Sequence, residues 1–121
     1  MDTISLKVEA AISLTELNEA LSPRWWVEDA GHGRLVIQAN GSRAYVYLES
    51  PSAFPEWGEV VLVDYTDVGL AKEVLCAVAD RPDVVVNNDF GTVLRGDHFV
   101  SRIRSDPDWD WRSDPSEPEI R

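Results

Sequence analysis

The chain has 121 residues and a mass of 13.6 kDa, which is the size of a single domain. Its 22 acidic residues against 11 lysines and arginines give a net charge of −11. Such a charge repels phosphates and anionic lipids, so it argues against direct binding to nucleic acid, against membrane binding and against phosphoryl transfer. The expected partner is a basic protein.

The beginning of the chain predicts a strand followed by a short helix. Residues 4–10 alternate between apolar and polar side chains, which is the period of a half-buried strand. Ser13 and Glu16 then have the spacing of a capping box, in which each side chain accepts a hydrogen bond from the other residue's backbone amide. Leucines at helical spacing follow, and Pro23 ends the helix.

A β-hairpin is predicted next. Residues 35–39 alternate again and lead to Asn40 and Gly41, a pair that tolerates the positive φ angles of a type I′ turn. The return strand has its apolar residues on one face. Its opposite face carries Tyr45, Tyr47 and Glu49.

The second half of the chain predicts a strand, a helix, a strand and a last helix. Residues 60–63 are apolar and mostly β-branched, which indicates a central strand, and Asp67 can cap the helix that follows. Residues 84–86 indicate another strand. Because a helix between two strands most simply forms a right-handed crossover, we expect these strands to be parallel. Asp97 is expected to cap the last helix.

The predicted fold is therefore α+β: one domain with a mixed β-sheet, helices packed on the sheet, and the order strand, helix, hairpin, strand, helix, strand, helix. The globular domain is placed at residues 1–105. Residues 106–121 contain three prolines and many acids, which indicates an acidic C-terminal tail. Trp109 and Trp111 are expected to pin the first part of this tail to the body, and Trp26 is expected to cover the sheet edge.

Motifs of the common catalytic classes are missing from the sequence. Residues 89–91 match the magnesium-binding tripeptide of kinases, but no glycine-rich loop or catalytic loop accompanies them, so a turn is the better interpretation. Cys76 lies in an apolar helix, where cysteine is usually an inert core residue. His32 and His98 lack metal-site spacing. We predict no catalytic residues, no metal and no cofactor.

The compartment is predicted from two further features. Cys76 is the only cysteine, which fits a reducing environment. Neither a secretory signal nor a membrane-spanning segment is recognisable in the sequence. We therefore expect a cytoplasmic protein.

Aromatic residues beside acids recur along the chain, and this pattern is typical of a protein interface. In such an interface Trp and Tyr act as anchors, and carboxylates meet Arg and Lys of the partner. The candidate partner-binding residues are Glu56, Trp57 and Glu59 on a proline-bounded loop, Tyr45, Tyr47 and Glu49 on the hairpin, Asp89 in a turn, and Asp108 and Asp110 in the tail.

A small acidic α+β protein with such a surface resembles the immunity proteins of bacterial polymorphic and contact-dependent toxin systems. The resemblance extends from Ile4 to Ile103, and residues 96–100 (GDHFV) and 106–111 (DPDWDW) look most like these proteins. It implies a protein that binds a cognate toxin domain, expected to be a basic nuclease, and neutralises it. Two alternatives remain open, namely a regulatory or assembly module that binds a basic protein, and a small enzyme or ligand-binding protein.

Overall fold

A computed structural model describes residues 1–9, 12–49 and 60–112, and these residues form one β-sheet with three helices. The strands are β1 (Asp2–Val8), β2 (Val27–Gly31), β3 (Arg34–Ala39), β4 (Ser42–Glu49), β5 (Val60–Tyr65), β6 (Val84–Asn87) and β7 (Val93–Arg95). The helices are α1 (Leu14–Leu21), α2 (Val68–Val78) and α3 (Gly96–Ser105). The predicted α+β class is confirmed, and the structure adds β2 and β7 to the predicted order.

The sheet has seven strands in the order β2-β3-β4-β5-β1-β6-β7, and each neighbouring pair is antiparallel. This arrangement differs from the predicted mixed sheet. β5 and β6 do run in the same direction, but β1 lies between them, and its Leu6 is opposite Val61 on one side and Val86 on the other. The helix after β5 therefore crosses over an intervening strand, which the periodicity of the sequence does not reveal.

All three helices contribute to a core on one face of the sheet. The sheet side of this core includes Ile4, Leu6, Leu35, Ile37, Val46, Val63 and Val86, and the helix side includes Leu17, Leu21, Val74, Leu75, Phe99 and Ile103. Burial of each of these side chains contributes about 1.5–3 kcal/mol, so this face supplies most of the hydrophobic stabilisation of the fold. The opposite face has no helix among the described residues, and we call it the open face.

The predicted caps of the first two helices are confirmed. Ser13 Oγ accepts from the Glu16 amide at 3.1 Å, and Glu16 Oε1 accepts from the Ser13 amide at 3.2 Å, which completes the capping box. At the start of α2, Asp67 Oδ2 accepts from the Leu70 amide at 2.9 Å. These local hydrogen bonds satisfy amides that have no partner inside the helix.

The predicted cap of the third helix is wrong. α3 begins at Gly96, so the N-cap position belongs to Arg95 and Asp97 lies in the first turn. A Cβ at position 96 would lie 2.1 Å from the carbonyl oxygen of Ala79, so only glycine fits this close approach. The amide of Asp97 donates to the carbonyl of Arg81 at 3.2 Å. This tertiary contact sets where the helix begins, and no capping pattern in the sequence could show it.

Two tight turns connect β2 to β3 and β3 to β4. The predicted turn between β3 and β4 is confirmed, with φ of 51° at Asn40 and 80° at Gly41. The turn between β2 and β3 uses positive φ at residues 31–33. β2 escaped prediction because four of its five residues are exposed, so it has no alternation of apolar and polar side chains.

The segment after α3 packs against the body. Trp109 is 4% exposed and Trp111 is 1% exposed, as expected for residues that hold this segment in place. Trp111 Nε1 donates to Tyr65 Oη at 2.7 Å. The packed body therefore extends to Arg112, beyond the predicted boundary at residue 105, and residues 113–121 of the predicted tail lie outside the described residues.

Among the helices of the described residues, none combines the length and the apolar character that a membrane span requires.

Candidate binding surface

The open face is defined by the register of the strands, because residues directly opposite each other in an antiparallel pair point to the same face. Val36 is opposite Glu28 on one side and Tyr45 on the other, and Tyr45 is in turn opposite Asp64. The same register shows which residues of β2, β3, β4, β5 and β1 belong to this face. Its residues in these strands are Glu28, Arg34, Val36, Gln38, Arg43, Tyr45, Tyr47, Glu49, Val60, Leu62, Asp64, Thr3, Ser5 and Lys7.

Tyr47 is the most firmly held aromatic residue of the open face. Its phenol lies 3.1 Å and 3.3 Å from the two carboxylate oxygens of Asp64, and Thr3 Oγ1 donates to the same carboxylate at 2.7 Å. The guanidinium of Arg34 lies over the ring, 4.7 Å from its centroid. This network fixes the ring in place, and a ring that is already held loses less conformational entropy when it serves as a binding anchor.

The phenol of Tyr47 is a proton donor across the physiological pH range. Burial, followed by the negative charge and the hydrogen bonds of Asp64, raises its pKa from 10.0 to about 12. The neutral phenol donates its one hydrogen to Asp64, so it can accept a hydrogen bond from a partner or pack against it, but it is not available as a general base near neutral pH. This arrangement suits binding better than proton transfer.

Trp26 is the most exposed large side chain of this region. It lies just before β2, and 83% of its surface is exposed. With Glu28, Val36 and Gln38 it lines a shallow depression of about 150 Å³, which we call the Trp26 depression. Its neighbour Trp25 has the opposite role, since it packs against the core. A solvated indole beside an apolar floor is typical of a surface that a partner covers.

The charges of the open face are mixed. Its acids are Glu28, Glu49 and Asp64, and its bases in the same strands are Lys7, Arg34 and Arg43. The face is therefore not a continuous acidic field, although the whole chain carries −11. The net charge of the whole chain sets the electrostatic field at a distance, whereas the surface of this face presents both signs of charge.

Three of the predicted binding residues share one strand. Tyr45, Tyr47 and Glu49 alternate along β4 and point to the open face, as the hairpin pattern predicted. Val36 and Leu62 flank the two tyrosines and are themselves buried. The structure thus places these three residues on the face that the described helices leave uncovered.

The other predicted binding residues lie elsewhere. Asp89 is in the turn after β6, where it has a φ of 65° and where its amide donates to Asn87 Oδ1 at 2.8 Å. Asp108 and Asp110 follow α3, and Asp110 Oδ1 accepts from the Arg112 amide at 3.0 Å. These acids are on separate loops rather than on β4. Glu56, Trp57 and Glu59 lie outside the described residues, so their role stays a prediction.

Sequence reasoning missed Trp26, Glu28 and Val36 as members of the site. Trp26 was expected to cover the sheet edge, but its indole is exposed on the open face. The available signal was the spacing of Trp26 and Glu28, which places both on one side of a strand. That spacing is informative only once residues 27–31 are known to pair with β3, and their exposed composition concealed this.

A second depression, of about 400 Å³, lies on the helix side between α2 and α3. Its cationic residues already have partners: Lys72 Nζ donates to the Pro107 carbonyl at 2.7 Å, and Arg104 pairs with Asp80 at 3.1 Å. Leu70 and Ile103 give it an apolar wall. Among the described residues, the buried polar atoms without a partner are Asn88 Nδ2 and Trp109 Nε1, and neither residue lines this depression, so it is a weaker candidate than the open face.

The enzymatic alternative rests on Cys76 and His98. Cys76 is partly buried on α2, and burial raises the pKa of its thiol, which disfavours the thiolate that a nucleophile requires. His98 lies on α3, where Arg95 Nη2 donates to its Nε2 at 2.9 Å. In the part of the chain that the structure describes, no hydrogen bond joins the two.

Within residues 1–9, 12–49 and 60–112, no group of three or more His, Cys, Asp or Glu side chains is placed to hold a metal ion.

Comparison of the chain with protein-family models, with curated proteins and with solved structures found no match.

Proposed function

We propose that this chain is a binding protein whose partner docks on the open face. The observation that supports this most strongly is an aromatic surface, exposed at Trp26 and half-buried at Tyr45 and Tyr47, on a sheet face without a described helix. Trp26 is 83% exposed, and Tyr45 and Tyr47 lie two strands away on the same face. Aromatic residues of this kind supply most of the free energy of binding in many protein interfaces.

The partner in this proposal is a basic protein. A net charge of −11 attracts cationic surfaces over distances near the Debye length, which is about 10 Å at 0.1 M salt. Steering of this kind raises association rates by about 10- to 1000-fold at low salt. The association rate constant should therefore fall steeply as salt is added, whereas the dissociation rate constant should change less because the aromatic contacts determine it.

The finer proposal is that the partner is a bacterial toxin domain and that this chain is its immunity protein. The resemblance described above supports it, together with the small size and acidic charge of the chain. The nuclease class of the toxin follows from the same charge argument, since a cleft that binds nucleic acid is itself cationic. On this proposal the chain protects the cell by binding the toxin, with no chemical step of its own.

The test uses the protein encoded beside the gene for this chain. That protein is produced alone and together with this chain, and growth of the producing cells is measured. The proposal expects growth arrest by the neighbour alone, rescue by this chain, and a complex of the purified proteins in titration calorimetry. Absence of both rescue and binding would contradict the immunity role.

The two alternatives give different results in the same experiment. A regulatory or assembly module would bind a basic protein that is harmless when produced alone. A small enzyme would lose its biological activity in the Cys76→Ala or His98→Ala variant, whereas an immunity protein keeps rescue in both.

A further inference from the structure

The Trp26 depression contains two groups that lack a partner within the described chain. No hydrogen bond or ion pair of the described residues engages the carboxylate of Glu28, and no ring or cation of those residues packs on the indole of Trp26. Below them lies Val36, which is 7% exposed and forms an apolar floor. The amide of Gln38 completes the rim.

The same chain shows which group fits between a ring and a carboxylate. Arg24 lies over the ring of Trp25, 4.9 Å from its centroid, and also pairs with Glu73 at 2.7 Å. Arg112 repeats this arrangement, with its guanidinium 5.5 Å from the centroid of Tyr65 and 3.1 Å from Asp2. In both places one guanidinium stacks on an aromatic ring and pairs with an acid.

We propose that the Trp26 depression receives an arginine side chain of the partner, an inference that rests on the proposed function. The guanidinium stacks on the exposed indole of Trp26 and donates to the carboxylate of Glu28. The aliphatic part of the arginine lies on Val36, and the side-chain oxygen of Gln38 accepts one further N–H. This arrangement reproduces the contacts of Arg24 and Arg112 across an interface.

The size of the depression agrees with this occupant. Its volume of about 150 Å³ is small, which fits the end of one side chain rather than a whole ligand or a helix. Arginine also suits the site better than lysine, because a flat guanidinium stacks on a ring and pairs with a carboxylate at the same time.

Two cations of the open face, Arg34 and Arg43, oppose a guanidinium bound in the depression. Arg34 is turned toward Tyr47, with its guanidinium 4.7 Å from the centre of that ring. Arg43 is directly opposite Gln38 on the neighbouring strand β4, where paired Cβ atoms are about 5 Å apart, so its charge lies beside the rim of the depression. Because this separation is shorter than the Debye length of about 10 Å at 0.1 M salt, the repulsion by Arg43 is only weakly screened. Neutralising Arg43 should therefore strengthen the binding of arginine.

The experiment titrates the full chain with three small probes and follows ¹⁵N-labelled protein by NMR. The probes are Nα-acetyl-arginine methylamide, the lysine analogue, and the neutral citrulline analogue, which keeps the shape of arginine without its charge. The Trp26 indole signal is assigned by its loss in Trp26→Leu. The variant Glu28→Gln removes the charge of the depression, and Glu19→Gln, an exposed acid on α1, is the matched control.

The arginine probe should shift the signals of the Trp26 indole and of the Glu28 and Val36 amides, and the citrulline probe should not. Loss of a surface ion pair in Glu28→Gln weakens binding by about 1.5- to 5-fold. Loss of the ring in Trp26→Leu weakens it by about 2- to 5-fold, read from the Glu28 and Val36 amides. Arg43→Gln should strengthen it, and Glu19→Gln should leave it unchanged.

Equal shifts with the arginine and citrulline probes, or equal losses in Glu28→Gln and Glu19→Gln, would overturn the arginine site. If the protein encoded beside the gene for this chain still binds this chain, that result does not contradict the proposed function. Conversely, a failure of that protein to bind contradicts the proposed function, even where the arginine probe binds at Trp26. The two failures are therefore distinguished by which of the two ligands binds.

Discussion

Trp111 and Tyr65 are joined by a buried hydrogen bond of 2.7 Å from the indole nitrogen to the phenol oxygen. Their rings also pack edge to face, with centroids 6.1 Å apart. The contact ties the segment that follows α3 to the end of β5, 46 residues away in the chain. It explains why a stretch rich in acids and containing a proline is part of the packed body.

Removal of the phenol oxygen should destabilise the protein, because Tyr65→Phe leaves the buried N–H of Trp111 without an acceptor. An unsatisfied buried donor costs about 1–3 kcal/mol. The control is Tyr45→Phe, whose phenol has no hydrogen bond to another described residue, and a substitution of this kind usually changes stability by no more than about 0.5 kcal/mol. Urea denaturation measures both variants. Equal stability of the two variants would show that the hydrogen bond is unimportant.

Gly96 is expected to tolerate no side chain. In Gly96→Ala the new Cβ would lie 2.1 Å from the Ala79 carbonyl oxygen and 2.9 Å from that of Arg81. Both obstacles are backbone atoms, so relief requires α3 to move. Overpacking of this kind costs about 1–3 kcal/mol and occasionally more.

The control for Gly96→Ala is Ser101→Ala, an exposed position of the same helix. Its expected effect on the free energy of unfolding is within about 0.5 kcal/mol. Thermal or urea unfolding of the two variants measures the difference. A Gly96→Ala protein as stable as the wild type would contradict the close packing of α3 against the loop before β6.

The pKa of Tyr47 should depend on its hydrogen bonds to the carboxylate of Asp64. Its pKa is raised to about 12, so the folded state holds this proton more tightly than the unfolded state does. The resulting stability is complete below the ordinary pKa of 10.0 and is lost as the pH rises through about 12. In Asp64→Asn the pKa should fall toward its ordinary value, although burial, the largest cause, remains.

Titration of ¹³Cζ-labelled tyrosines by NMR measures this pKa for each tyrosine separately. Glu19→Gln on α1 serves as a control, because it removes a negative charge without touching Tyr47. A Tyr47 that ionises at the same pH in wild type and Asp64→Asn would contradict the hydrogen bonds between these two side chains.

Local patterns predicted much of this fold. The capping box of Ser13 and Glu16, the cap at Asp67 and the turn at Asn40 and Gly41 all depend on neighbours within a few residues, and each is present in the structure. Interactions at this range can be inferred from spacing alone.

Other features depended on contacts that no local pattern contains. β1 separates β5 from β6 because Leu6 packs between Val61 and Val86, and the sequence does not specify strand neighbours. The first turn of α3 is set by the approach of Gly96 to the Ala79 carbonyl, which replaced the predicted cap at Asp97. Both errors arose where tertiary packing decided between two locally acceptable arrangements.

The candidate binding surface could be predicted only where its residues follow from a local pattern. Tyr45, Tyr47 and Glu49 follow from strand alternation, so their common face could be predicted. Trp26 and Glu28 join that face only through the pairing of β2 with β3, and β2 has too few buried residues to be recognised in advance.

The central claim is that a basic partner binds the open face, and the most direct measurement is the dissociation constant of the neighbouring gene's protein for two variants. Tyr45→Ser removes an aromatic side chain from the middle of that face, and Glu19→Ser changes an exposed residue of α1 on the helix side. Loss of a central aromatic anchor costs about 2 kcal/mol or more, which is about 30-fold in affinity. The account predicts a loss of this size for Tyr45→Ser and binding within about twofold of wild type for Glu19→Ser, which keeps the anchors in place. Wild-type affinity in a folded Tyr45→Ser protein would contradict it.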